Sequence, residues 1–120
     1  MSENPLLSMA QRWFAAFNEH NLGNLLALYS ENAQHYSPKL KLRSPETGGM
    51  ITGKAELRLW WQESFKRLPS LKYVPTWFIA DNSSVFMEYD RFVDGEPVLK
   101  VGEVLEIQDG LIVSSRVYHG

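Results

Sequence analysis

A lone carboxylate, Glu103, stands in a row of apolar side chains and is the group in this sequence best placed for acid–base chemistry. Read as a strand, VLKVGEVLEI puts Leu99, Val101, Glu103 and Leu105 on one side and Lys100, Gly102, Val104 and Glu106 on the other. Burial among apolar neighbours raises a carboxyl pKa, making Glu103 a proton donor or a base near neutral pH, according to how close a cation comes. The cation at hand is Arg91. In VFMEYDRFV the better inner row is Val85, Met87, Tyr89, Arg91 and Val93, with Phe86, Glu88, Asp90 and Phe92 facing out. A pairing of Arg91 with Glu103 on neighbouring strands reads equally well as a buried ion pair.

Two histidines extend the set. In AQHYSP, residues 33 to 38, alternation groups Ala33, His35 and Ser37, so His35 turns inward; it or His119 is the expected partner for Glu103. In LIVSSRVYH the same parity groups Val113, Ser115, Val117 and His119 on the inner face. The expected pocket has Glu103 and His35 as its catalytic pair. Ser37, Tyr89, Arg91 and His119 are its polar ligand contacts, and Trp13, Phe17, Met87 and Val101 its apolar walls. A structural role stands beside each of these: Tyr89 as a core residue with a bonded hydroxyl, His119 as a surface side chain, His35 as the satisfier of a backbone group.

The elements that must position these groups divide the chain in two. Apolar residues at Leu6, Met9, Ala10, Trp13, Phe14 and Phe17 have helical spacing, with Asn4 as N-cap and Pro5 at the first helical position. EHNLGN breaks that helix, and NLLALYSEN reads as a second, short one. PKLKLRSPETGGMITG, with its prolines and glycines, reads as a long loop of the kind that forms lids, in which KLKLR is a solvated edge or a cover for an anionic ligand. GKAELRLWWQESFKRL is a third helix, closed by Pro69; of its adjacent Trp60 and Trp61, one belongs to the core and the other to the pocket or an interface. From Leu71 the period changes to two, and DNSS, DGEP and QDG mark hairpin turns between four strands. Helices followed by a meander predict a single α+β domain over residues 1–120.

Bulk properties narrow the function classes. A 44% apolar content supplies one core, and 12 basic against 14 acidic side chains leave no footprint for nucleic acid or an anionic membrane. There is no cysteine for a disulfide, a thiolate ligand or a nucleophile. The start, MSENPLLSMAQRW, has no basic segment and no long apolar run, so a cytoplasmic protein is expected. No phosphate-binding glycine loop, HExxH or nucleophile elbow is present, and the three histidines lack ligand spacing, so a cofactor-free and metal-free pocket is expected.

In order and spacing the chain resembles the NTF2-like superfamily, in the branch of SnoaL-like polyketide cyclases and ketosteroid isomerases. The likeness rests on QRWFAAFNEHNLGNLLALYSENAQHYSP, on GKAELRLWWQESF and on EVLEIQDGLIVSSRVYHG, and includes the pattern LxxLYxxxAxxxxP at Leu25, Leu28, Tyr29, Ala33 and Pro38. It implies a cystatin-like α+β barrel: a cone of curved antiparallel sheet closed by three helices around an apolar pocket. It also implies a homodimer through the outer sheet face, where Phe86 and Phe92 lie. The resemblance carries no single activity, since the fold hosts isomerases, cyclases, hydrolases and non-catalytic binders. Ketosteroid isomerases have a tyrosine donor where this chain has Trp13, a basic aspartate where it has Ser37, and a protonated aspartate where it has Glu103. An indole is a weaker oxyanion donor than a phenol and a serine is no base at neutral pH, so steroid isomerisation by that mechanism is not expected. The expectation is a small apolar organic ligand, with proton transfer through Glu103 or binding alone.

Overall fold

The computed structural model describes residues 4–119. Helix α1 (Pro5–Asn18) starts as its sequence dictates: the Asn4 side chain accepts from the Leu6 N–H at 2.9 Å and proline occupies the first turn. It buries Leu6, Met9, Ala10, Trp13, Phe14 and Phe17. At its end Asn18 accepts from the backbone N–H of Tyr73 and donates to the same residue's carbonyl, at 2.7 and 2.8 Å, which pins the helix to the sheet.

Helix α2 (Leu22–Ala27) is capped by Asn21 and stops earlier than expected, because strand β1 (Tyr29–Tyr36) already begins at Tyr29. Tyr29 is fully buried with its hydroxyl bonded on both sides, an arrangement a further helical turn would lose. The segment read as a loop holds two small elements. Ser37 caps a six-residue helix, α3 (Pro38–Arg43), and after a 3-10 turn at Pro45–Thr47 the strand β2 (Met50–Thr52) pairs back onto β1. The structural reason is Leu40, buried from α3, and Ile51, buried from β2, each giving its element an apolar anchor. Helix α4 (Lys54–Arg67) buries Leu57, Trp61 and Ser64.

Strands β3 (Lys72–Ala80), β4 (Ser84–Phe92), β5 (Leu99–Gln108) and β6 (Leu111–His119) form the expected antiparallel meander. The β5–β6 turn places Asp109 and Gly110 at φ 53° and 78°, the left-handed pair that a tight two-residue hairpin requires. The full order is β2-β1-β6-β5-β4-β3, and one pairing departs from the antiparallel rule, since β1 runs parallel to β6. Register shifts in β1, in β3 between Pro75 and Trp77, and between Glu106 and Ile107 bend the sheet around α1. Pro75 is tolerated because β3 is an edge strand and the proline adjoins its bulge. The last of these shifts also revises the parity read for β6, where Ile112 rather than Val113 is fully buried. No described helix is long and apolar enough to cross a membrane.

Candidate functional site

The concave face of the sheet, α1, α3 and α4 enclose a cavity of about 230 Å³. Strand β5 carries Glu103 into it from the middle of the sheet, opposite Met87 on β4 and Val117 on β6. The carboxyl is 1% exposed. The Tyr89 hydroxyl donates to its Oε1 at 2.7 Å, and Oε2 has no hydrogen-bond partner. Burial pushes the Glu103 pKa up to about 8, against a smaller opposing pull from the Tyr89 hydrogen bond. At neutral pH the group is therefore mostly a carboxylic acid, with one oxygen held and the other free for a proton.

Arg91 does not form the ion pair with Glu103 that alternation allowed. Its Nη1 donates to Glu96 at 2.8 Å instead. The register explains this. Arg91 is paired with Leu99, four residues from Glu103 along β5, or about 13 Å at about 3.3 Å per residue. The signal was partly present in the sequence: a hairpin turning near residues 94–97 sets 91 against 99 or 100, in either case well away from 103. Without a neighbouring cation, only the Tyr89 hydrogen bond opposes the burial that raises the Glu103 pKa.

His35 occupies the opposite side, held by a chain of hydrogen bonds that sequence parity did not reveal. Trp13 Nε1 donates to the Tyr29 oxygen at 3.1 Å, the Tyr29 hydroxyl donates to Ser115 Oγ at 3.0 Å, and Ser115 Oγ lies 2.7 Å from His35 Nδ1. Burial lowers the His35 pKa to about 4, so the ring is neutral. Ser115 is wholly buried and already accepts from Tyr29, so its own hydrogen goes to Nδ1 and the imidazole proton sits on Nε2. The cavity thus receives an N–H donor rather than a base. Ser115→Ala removes the group that selects this tautomer. Nitrogen NMR of the wild type is expected to show a protonated Nε2 and a bare Nδ1, and the variant a mixture. Identical spectra would mean that Ser115 does not set the proton.

The other expected site residues divide cleanly. Trp13, Phe17, Ser37, Tyr89, Arg91, Val101 and His119 all line the cavity with Glu103 and His35. Met87 does not, and is corrected to a core residue: it is 0% exposed, packed in the core beside Phe78, its partner on β3. Ser37 is spent in part on capping α3, accepting from the Lys39 N–H at 3.2 Å. His119 lines the mouth but is exposed, consistent with its place at the end of β6. Trp60 and Trp61 both reach the cavity, the second almost fully buried.

Residues 10–115 match the family model of the SnoaL-like domain. The chain belongs to the SnoaL-like domain family. No curated protein matches it. Among solved structures, a SnoaL-like protein of unknown function from Burkholderia thailandensis superposes with a TM-score of 0.88 at 22% identity, covering 99% of this chain and 97% of that one. A candidate ketosteroid isomerase from Kribbella flavida gives 0.79 at 22% identity, over 97% and 78% of the two chains. A candidate polyketide cyclase from Sinorhizobium meliloti gives 0.79 at 14% identity, over 92% and 94%.

Within this SnoaL-like frame, several lining residues were missed from the sequence. Tyr73 from β3 has its ring centroid 4.3 Å from that of Tyr89 and stacks on Trp13 at 5.8 Å. Its spacing in KYVPTW was readable, but the bulge after Pro75 hides the parity. Arg67, at the end of α4, also lines the SnoaL-like cavity, as do Lys39, Leu42 and Arg43 of KLKLR, the segment for which a solvated edge or a cover over an anionic ligand was expected and which forms helix α3. Among the described residues no group of three or more His, Cys, Asp or Glu is placed to hold a metal ion.

Proposed function

We propose that this SnoaL-like chain binds a small, mostly apolar organic molecule in the cavity and moves a proton on it without a cofactor, in an isomerisation, cyclisation or hydration. The observation that carries this reading is Glu103: fully buried, facing the cavity, with one oxygen unpartnered and a pKa of about 8. As a carboxylate it takes a proton from the carbon next to a carbonyl; as the acid it returns that proton to another carbon of the same molecule. The Tyr73 hydroxyl and the Nε2–H of His35 are the donors available to the enolate oxygen formed between the two steps. Trp13, Phe17, Val101 and Val117 supply the apolar wall. The test is exchange of the α-hydrogens of 2-tetralone in deuterated buffer, read by proton NMR, with the Glu103 carboxyl followed by carbon NMR. No exchange above the buffer rate, with 2-tetralone shown to bind, would leave a binding protein without catalysis.

A second feature supports a homodimer through the outer sheet face. Val74, Trp77, Ile79, Phe92 and Tyr118 are exposed on it, and Trp77 meets Phe86 edge-on at 6.0 Å. A second copy of the chain is the partner that matches an apolar, self-complementary sheet face. Trp77→Glu, outside the cavity, is expected to turn a dimer into a monomer in sedimentation velocity. A wild type that sediments as a monomer at high micromolar concentration would exclude the dimer.

A further inference from the structure

The inner end of the cavity has a chemistry already described; its mouth has another. Four cationic side chains, Lys39, Arg43, Arg67 and Arg91, line it. Of these four, only Arg91 is in an ion pair with a described residue, Glu96. With Glu103 protonated, Glu96 is the one ionised carboxylate in the lining, so the mouth carries an excess of positive charge.

We infer that this mouth is an anion subsite, in which Arg67, flanked by Arg43 and Lys39 from α3 and by Arg91 from β4, receives a carboxylate carried by an otherwise apolar ligand. The inference rests on the ligand-pocket reading above and narrows its substrate class to aromatic or alicyclic acids.

Arg67 is the centre of this subsite. Its Nη1 is buried without a hydrogen-bond partner, one of two such side-chain atoms among the described residues, the other being Oε2 of Glu103. Leaving a charged donor buried and unpaired is costly, and both orphaned groups border the same cavity. A cation in the last turn of a helix is favoured by the helix dipole, which explains a basic residue at the end of α4. It does not explain a guanidinium nitrogen turned away from both solvent and acceptors. Burial, then the charge of Arg43 and to a lesser extent that of Arg91, push the Arg67 pKa down against a pull from Glu63, so like charges are crowded there. An anion would relieve that crowding.

The scaffold fits the role. Lys39 and Arg43 are four residues apart on α3 and both reach the lining, so one face of that short helix delivers both charges. A planar guanidinium takes a carboxylate through two parallel hydrogen bonds, which selects carboxylates over neutral polar groups of the same size. Arg91 sits about 13 Å along the sheet from Glu103, so a ligand anchored by its carboxylate would extend its apolar body inward to the reacting end. A cavity of about 230 Å³ limits that body to a small ring system.

The experiment compares 2-naphthoate with 2-naphthamide, which share a ring system and differ in charge, by isothermal titration calorimetry. Wild type is expected to bind the naphthoate at least tenfold more tightly, with the preference shrinking as salt rises. Arg67→Met is expected to abolish the preference by bringing naphthoate down to the affinity of naphthamide. Lys39→Met combined with Arg43→Met, at positions outside the core, is expected to narrow it and serves if Arg67→Met fails to fold. Equal binding of the two compounds by wild type, or an equal loss of both in Arg67→Met, would overturn the anion subsite and leave the ligand pocket standing. Binding of neither would overturn the ligand pocket and the subsite with it.

Discussion

Glu103→Gln is expected to leave the chain folded while slowing α-hydrogen exchange of 2-tetralone by roughly 100- to 10,000-fold, the range a positioned acid–base group supplies. The amide keeps the shape and still accepts from Tyr89, but it cannot take a proton. In wild type, kcat/KM for exchange should rise with pH and level off above about 8, because the carboxylate is the abstracting form. At pH 7 about one molecule in ten carries it, given a pKa of about 8. The variant makes a second, independent statement about stability. The folded pKa of Glu103 lies above its unfolded value, so the folded state holds the proton more tightly. The associated stability is full below about pH 4.5 and is lost as pH rises towards about 8. Every tenfold gain in proton affinity on folding corresponds to about 1.4 kcal/mol, so Glu103→Gln should be the more stable protein at pH 8 by a few kcal/mol. Denaturation in urea at pH 5 and pH 8 decides this. A variant with unchanged pH dependence would show that Glu103 ionises normally and would remove the chemical basis of the proposed reaction.

The second large effect concerns the wall rather than the acid. Trp13 is 1% exposed, and its ring lies 4.8 to 5.9 Å from those of Phe14, Phe17, Tyr73 and Tyr89. It therefore joins α1 to β3 and β4, and through its N–H to Tyr29 it also begins the chain that orients His35. Trp13→Ala is expected to cost about 3–5 kcal/mol, the usual range for emptying an aromatic core site. That is a large share of the stability of a domain this size. Trp13→Phe keeps most of the ring and loses the N–H, so it should cost about 1 kcal/mol and mainly loosen Tyr29. Urea midpoints measure both. A Trp13→Ala loss below about 1 kcal/mol would mean that the surrounding rings collapse into the space, contrary to the close packing described.

Local chemistry was legible in the sequence and long-range pairing was not. The three hairpin turns, the Asn4–Pro5 start and the inward row Ala33, His35, Ser37 are each written within a few consecutive residues, and each appears in the fold. The inward carboxylate Glu103 was readable for the same reason, since alternation along one strand needs no partner. What failed required knowledge of two segments at once. Helix α3 forms because Leu40 finds the core, which nothing in KLKLR announces. Tyr29 leaves the helix for the strand because Ser115, far along the chain, takes its hydroxyl. Arg91 and Glu103 share an inner face, as expected, yet sit too far apart along the hairpin to meet. The deepest wall residue expected, Met87, was assigned to the right face but not to the right layer, and face is all that periodicity reports.

The strand order has a bearing on how the molecule comes into being. Strand β6 is the last described element to be made, yet it lies between β1 and β5 and is the seam between the two parts of the sheet. As the chain leaves the ribosome, β1 with β2 is one fragment and β3, β4 and β5 are another, each with an open edge and uncovered apolar side chains. Only when Leu111–His119 emerges do the edges close. In the same event Ser115 reaches Tyr29 and His35. The growing chain therefore holds its acid, Glu103, before it holds its cavity, and the site closes in one step when β6 takes its place between β1 and β5 rather than by accretion.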